Sequence, residues 1–300
     1  MTSPTFVAVM LGSISSITAL RAEPEKIAAW QPVTWNGEHA FAAVSGEWKA
    51  IVSVERGRLV YFGAAKEEHN LLFAPSTRGH VAGWGGHRIW LGPQTSWVRN
   101  WPPPDAWEHS AAAVVAIDGA RLVLTLSDSP DGWPRLTREY FWRDGRLHCN
   151  ARASGGTRDA QIIHILQVPA LAEVELQATP TADAPRGYVL VHLGRQPSPE
   201  GKFSPPKQVA EVAGKLQLKF TNTMEKLGFT PQPLLARIGH ASLRVERGES
   251  AGNALTLPDE GFATQVYLGN DQSPLIELEQ LSPLWRAGED ANFEIVIEGR

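Results

Sequence analysis

Apolar and polar residues alternate along most of this chain, and tight-turn dipeptides punctuate the alternation. Asp118-Gly119 separates residues 113–117 from 122–126, and Asp144-Gly145 separates 138–142 from 146–149. Asp-Gly supplies the positive φ angles that a two-residue hairpin turn needs, so each site reads as a β-hairpin. Arg56-Gly57 joins a third pair, 50–54 and 59–62. Further strands read at about 160–168, 173–178, 187–193, 215–221, 234–238, 241–247, 263–268, 275–280 and 292–297. Leu216, Leu218 and Phe220 alternate with Gln217, Lys219 and Thr221, which predicts one solvated face on that strand. With 27 Gly and 22 Pro, long helices are disfavoured, and no stretch beyond the N-terminus reads as one. Fourteen or more short strands must pack as sheets, so the expected fold class is all-β, as a large sandwich.

Strand patterning resumes directly on both sides of the two loop-like segments, 79–107 and 197–206, so one domain over 23–300 is expected. Residues 6–20 form an apolar, small-residue run followed by Arg21-Ala22-Glu23-Pro24. That run is too short to span a bilayer. It reads as a secretory signal over 1–22, which implies a periplasmic or secreted protein with no integral membrane segment after processing. If the segment is not a signal, the protein is cytoplasmic. The net charge of −4 and the lack of any Lys/Arg run argue against a nucleic-acid partner. Cys149 is the single cysteine, which excludes an intrachain disulfide and a cysteine-based zinc site. His80, His87 and Glu108-His109 have no metal-ligand spacing, so no metal and no cofactor is expected. Gly248-Glu249-Ser250-Ala251-Gly252 has the Gly-x-Ser-x-Gly form, but no helix pattern and no His follow it; it reads as a hairpin turn.

The unusual count is eleven Trp against four Tyr, and five of the Trp lie between 84 and 107: Trp84, Trp90, Trp97, Trp101 and Trp107. Indole faces match the C–H face of a pyranose and keep an N–H donor, so Trp90, Trp97 and Trp101 are candidate carbohydrate contacts. The alternative is that these rings plug the open end of a sandwich. Gly85 and Gly86 would let the backbone approach a ligand, and Pro102-Pro103-Pro104 would stiffen the wall.

The run from Gly85 to Pro93, followed by Trp101-Pro102-Pro103-Pro104, resembles an uncharacterised bacterial domain-of-unknown-function family related to galactose mutarotase. Lys226-Leu227-Gly228 and the run 276–283, followed by Ala287-Gly288-Glu289, resemble the same family, and the likeness spans about 40 to 298. This resemblance to the galactose mutarotase-like (aldose epimerase) superfamily implies a supersandwich of large antiparallel sheets with a concave sugar-binding face. It also implies site residues. Arg88, in His87-Arg88-Ile89, matches an Arg that follows Asn in true mutarotases, and His87 stands in the place of that Asn. His164, in the apolar run 162–166, is the candidate for the family's catalytic His; without the family it reads equally as a hydrogen-bonded core residue. Glu277 or Glu279 would be the catalytic Glu, with only one of them assigned to the pocket; Glu279 fits the Leu-Glu pattern better. No segment matches the family's His-Gly-Gly stretch or its sugar-binding Asp.

These residue types suit mutarotation. A base takes the anomeric proton, an acid protonates the ring oxygen, the ring opens, and the steps reverse after rotation. A carboxylate and an imidazole on opposite sides of the sugar suffice, with an Arg orienting hydroxyls. The sequence therefore predicts a carbohydrate-binding, aldose epimerase-like protein with His164, Glu279 and Arg88 as catalytic residues. His87, Trp90, Trp97, Trp101 and Glu277 would bind substrate. The competing readings are a non-catalytic sugar-binding module and a protein-interaction sandwich.

Overall fold

The computed structural model describes residues 29–75, 83, 85–98, 102–108, 111–126, 129, 131–191, 198–199, 207–251 and 261–300. The expected signal over 1–22, together with Trp84, Trp101, His80 and His109, lies outside the described residues. In chain order the first strands are β1 (Gln31–Trp35), β2 (Glu38–Ser45), β3 (Trp48–Ser53), β4 (Arg58–Ala64) and β5 (His87–Gly92). A short 3-10 turn (Gln94–Ser96) and a single helical turn α1 (Asp105–Glu108) follow. Next come β6 (Ala112–Asp118), β7 (Arg121–Leu126), β8 (Arg135–Arg143), β9 (Arg146–Ser154), β10 (Gln161–Pro169) and β11 (Glu173–Gln177). β12 (Val189–Leu190), β13 (Ser198–Pro199), β14 (Val209–Val212), β15 (Lys215–Lys219) and β16 (Glu225–Phe229) lead to β17 (Leu234–Ile238) and β18 (Ala241–Ala251). β19 (Thr264–Asn270), β20 (Ser273–Leu281) and β21 (Ala291–Gly299) complete the described strands.

These strands form three antiparallel sheets. One has four strands, β1-β2-β3-β4. One has seven, in the order β13-β12-β16-β19-β20-β10-β5. The largest has ten, in the order β14-β15-β11-β17-β18-β21-β9-β8-β7-β6. The all-β sandwich expected from the alternation is what the chain forms. One continuous buried apolar cluster joins the two large sheets, with Ile89, Leu166 and Leu278 from the seven-stranded sheet and Leu147, Leu243 and Phe293 from the ten-stranded one. Full burial of each such side chain contributes about 1.5–3 kcal/mol.

Turn chemistry explains the hairpins. Asp144 (φ 51°) and Gly145 (φ 69°) both take the left-handed conformation, and Arg143 pairs with Arg146 across them, as a two-residue primed turn requires. The β6–β7 turn falls one residue later than expected. Asp118 still pairs with Arg121, so the loop is Gly119-Ala120 and Gly119 alone has positive φ. At Arg56-Gly57 the ladder closes at Ser53–Arg58, which leaves a four-residue connection.

Buried Arg138 ties the layers together. Its guanidinium donates to the backbone carbonyls of Gly57, Ile89 and Trp107, and so fixes the turn just before β4, the middle of β5 and α1 relative to β8. Burial lowers its pKa to about 10, which leaves it charged at neutral pH.

Candidate functional site

Register on the seven-stranded sheet decides which side chains can meet. Directly paired residues on neighbouring strands point to the same face, and so do residues two apart on one strand. Gln167 pairs with Glu277, Glu277 with Tyr267, and Tyr267 with Lys226. One step along, Arg88 pairs with Ile165, Ile165 with Glu279, and Glu279 with Gln265. These two rows run across four strands or more and place seven polar side chains on one face. Glu277 and Glu279 both belong to it, which corrects the expectation that only one could.

The charges on this face are paired. Arg88 Nη1 lies 3.4 Å from Glu277 Oε1, which also accepts from Gln167 Nε2 at 2.6 Å. Lys226 Nζ lies 2.9 Å from Glu279 Oε2. Glu108, carried by α1, reaches down onto the same face. Its Oε1 accepts from Arg58 Nη1 at 3.1 Å and lies 3.6 Å from Arg88 Nε, and its Oε2 accepts from Trp90 Nε1 at 3.0 Å. Burial alone would raise the Glu108 pKa, but Arg58 and Arg88 outweigh it and hold the carboxyl at about 2. Three cations (Arg58, Arg88, Lys226) thus meet three carboxylates (Glu108, Glu277, Glu279). Gln167 is fully buried, and its Oε1 has no hydrogen-bond partner. Burial raises the Tyr267 pKa, with Glu277 and Glu279 adding to the effect. The face is closed beside Arg88 and Glu279 and opens toward Lys226 and Glu277, whose side chains are 13% and 10% exposed.

The two candidate histidines lie on the other face. His164 pairs with Ile89 and Gln280, and His87 pairs with Leu166, so both rings point into the layer between the large sheets. His87 Nε2 lies 3.0 Å from His164 Nδ1, and His164 Nε2 lies 3.0 Å from the Phe293 carbonyl. A carbonyl only accepts, so His164 carries its proton on Nε2 and accepts at Nδ1 from His87 Nε2–H. Both rings are fully buried. Desolvation lowers the His164 pKa to about 3 and the His87 pKa well below its ordinary value. The pairing expected of His164 with Glu279 is therefore not formed: the backbone of the sheet stands between them. The run of apolar neighbours on both sides of His164 carried the core reading that the structure supports. His87 takes no part in the polar face for the same reason of alternation.

The tryptophans are packed. Trp90 meets Trp97 edge to face at 5.6 Å, Trp97 meets Trp107 at 6.1 Å, and Trp107 meets Trp133 edge to face at 5.2 Å. All four are at least 94% buried. Trp90 shares the polar face with Arg88 and lies under its guanidinium at 5.1 Å, but its indole N–H serves Glu108. Trp97 Nε1 donates to the Leu91 carbonyl at 2.8 Å. The plug reading describes Trp90, Trp97 and Trp107. Gly85 and Gly86 also serve the protein itself. At φ +73° a Cβ on Gly86 would sit 2.3 Å from the Leu59 carbonyl oxygen, so glycine here admits β4.

Sequence reasoning did not single out Gln167, Gln265 or Tyr267, and it met Lys226 only within a family motif and Glu108 only beside His109, without a role at this face. Gln167 and Lys226 were legible in principle, because strand parity counted from Arg88 and Glu279 assigns them to the same face once the register is known. Among the described residues there is no cluster of three His, Cys, Asp or Glu able to hold a metal, and no helix long and apolar enough to cross a membrane.

No protein-family model matches the sequence, and no curated protein matches it. Solved structures do. A galactose mutarotase-like protein from Lactobacillus casei superposes with a TM-score of 0.57 at 11% identity, covering 87% of this chain and 100% of that chain. A galactose mutarotase related enzyme from Lactobacillus acidophilus gives 0.57 at 6% identity, covering 87% and 97%. A TPR-domain containing protein from Parabacteroides distasonis gives 0.55 at 12% identity, covering 87% of this chain and 47% of that one. The chain therefore has the galactose mutarotase-like fold. At these identities the likeness extends to architecture alone.

Proposed function

We propose that the protein binds a neutral carbohydrate on the polar face of the seven-stranded sheet, at Arg88, Gln167, Lys226, Tyr267, Glu277 and Glu279. The observation that carries this reading is the balance of charge. Three cations and three carboxylates cancel within the face, so nothing there attracts a net charge. What the rows offer is a dense alternation of donors and acceptors, which suits a ligand whose hydroxyls each donate and accept. Gln167 Oε1, buried beside Glu277, is an acceptor that no donor among the described residues fills. The resemblance to mutarotases supports the ligand class.

Binding without turnover is favoured over mutarotation. Epimerase chemistry asks for a base and an acid across the sugar, and the imidazole expected for that role points into the core. Titration of the purified protein with mono- and oligosaccharides, followed by tryptophan fluorescence and calorimetry, tests binding. Exchange between anomers by NMR tests turnover. Saturable binding that Glu277→Gln weakens at least tenfold, with anomer exchange at the buffer rate, supports the proposal. Accelerated exchange would convert the reading to an isomerase, and the absence of binding to any sugar would refute it.

A further inference from the structure

A cavity of about 270 Å³ lies beside the tryptophan plug, between the 3-10 turn and the loop before β8. Its walls include Trp97, Pro102, Pro104 and Trp133, with Asp131 and Arg158 among them. Arg158 is fixed across the cavity: its Nε donates to the Asp131 carbonyl at 2.7 Å, and its guanidinium lies 5.5 Å from the Trp133 ring. The Asp131 carboxylate has no hydrogen-bond donor among the described residues. Val98, at the edge, is 95% exposed, an unusual placement for a large apolar side chain.

Apolar walls with one carboxylate and one guanidinium suit a sugar ring, which has C–H faces and an equatorial belt of hydroxyls. The volume lies just below the usual range for ligand sites, about 300–1,000 Å³, and fits one ring rather than a chain. Position links the cavity to the polar face. Gln94, at the start of the 3-10 turn, lies 3.5 Å from Lys226 Nζ, while Ser96 and Trp97, at its end, line the cavity. On the sheet side, Arg88 lies over Trp90, and Trp90 meets Trp97. The two places are thus linked along the 3-10 turn, with Gln94 beside one and Ser96 beside the other.

We infer that the ligand is an oligosaccharide, with one unit on the polar face and a further unit in the cavity formed by Trp97, Trp133, Asp131 and Arg158. This rests on the carbohydrate reading above and adds the length of the ligand to it. A monosaccharide occupies one place; only a chain of two or more units occupies both and gains by linkage.

The test compares glucose with cellotriose and maltotriose, and galactose with β-1,4-galactotriose, by calorimetry on the intact protein. The expected result is at least a tenfold gain in affinity for a trisaccharide over its monosaccharide. Arg158→Ala and Asp131→Asn should abolish that gain and leave monosaccharide affinity within twofold. Both residues are surface positions, and Asn tolerates the positive φ at 131, so these variants keep the fold; Trp133→Ala provides a harsher third. Equal affinity for short and long sugars overturns the inference, as does a gain that survives both substitutions. In either case the binding of the monosaccharide leaves the polar-face reading standing. Failure of every sugar to bind overturns both.

Discussion

The buried imidazole pair makes a quantitative prediction about stability. His87 and His164 are fully buried and share one hydrogen bond, and His164 satisfies the Phe293 carbonyl next to the irregularity where the β18–β21 ladder slips between Arg247 and Ser250. Both stay neutral in the fold, with His164 held at about 3 by desolvation and His87 well below 6.5. The unfolded chain protonates each near pH ~6.5. Below that pH the unfolded state binds more protons than the native one, so stability is fully present above about 6.5 and is lost as pH falls toward the folded pKa. At pH ~7.5 the loss is small, whereas by pH ~5.5 the His164 imidazole costs about 1.4 kcal/mol, and His87 adds to the loss in the same direction. Urea unfolding at the two pH values measures this directly. His164→Gln can keep a donor for Phe293 and removes one titrating group, so its pH-dependent loss should be smaller than wild type by about 1.4 kcal/mol, whatever the exposed histidines contribute to both. Identical pH dependence in the two proteins would refute the neutral, core-facing assignment. An imidazole NMR titration with either ring near 6.5 would refute it equally.

Other substitutions read other parts of the account. Arg88→Ala leaves Glu277 without its cation and Glu108 with only one, and should cost about 3–5 kcal/mol in unfolding experiments, the range for breaking a buried ion pair. Trp107→Ala removes a ring packed against Trp97 and Trp133 and should cost about 3–5 kcal/mol, with a drop in tryptophan fluorescence intensity. Gly86→Ala places a Cβ 2.3 Å from the Leu59 carbonyl oxygen at positive φ and should reduce the yield of folded protein. Cys149 is fully buried and its thiol pKa is raised by burial, so a thiol reagent should leave the native protein unlabelled and label it once in urea.

Much of the architecture was legible because its cause is local. Asp144-Gly145 encodes a turn whatever surrounds it, and period-two alternation encodes a half-buried strand. The β6–β7 turn moved by one residue because glycine, not the Asp before it, takes the positive φ there. The site was less legible because its geometry is a property of pairing between distant strands. Family likeness pointed to Arg88 and to one of Glu277 and Glu279, whereas both carboxylates share the face of Arg88. His164 was grouped with them although it is one residue from Ile165, and on a strand one residue is the difference between two faces. Lys226 joins Glu279 only across β19, a relation that no spacing along the chain contains. The tryptophans looked like a binding rim because indole chemistry serves sugar and core alike, and only packing separates the two uses.

The most direct test pairs two variants against one sugar. Calorimetric titration of wild type, Glu277→Gln and His164→Gln with the tightest-binding sugar of the panel compares the polar face with the core. The account predicts affinity reduced at least tenfold in Glu277→Gln and within twofold of wild type in folded His164→Gln. Loss of binding in His164→Gln with retention in Glu277→Gln would contradict it and move the site to the other side of the sheet.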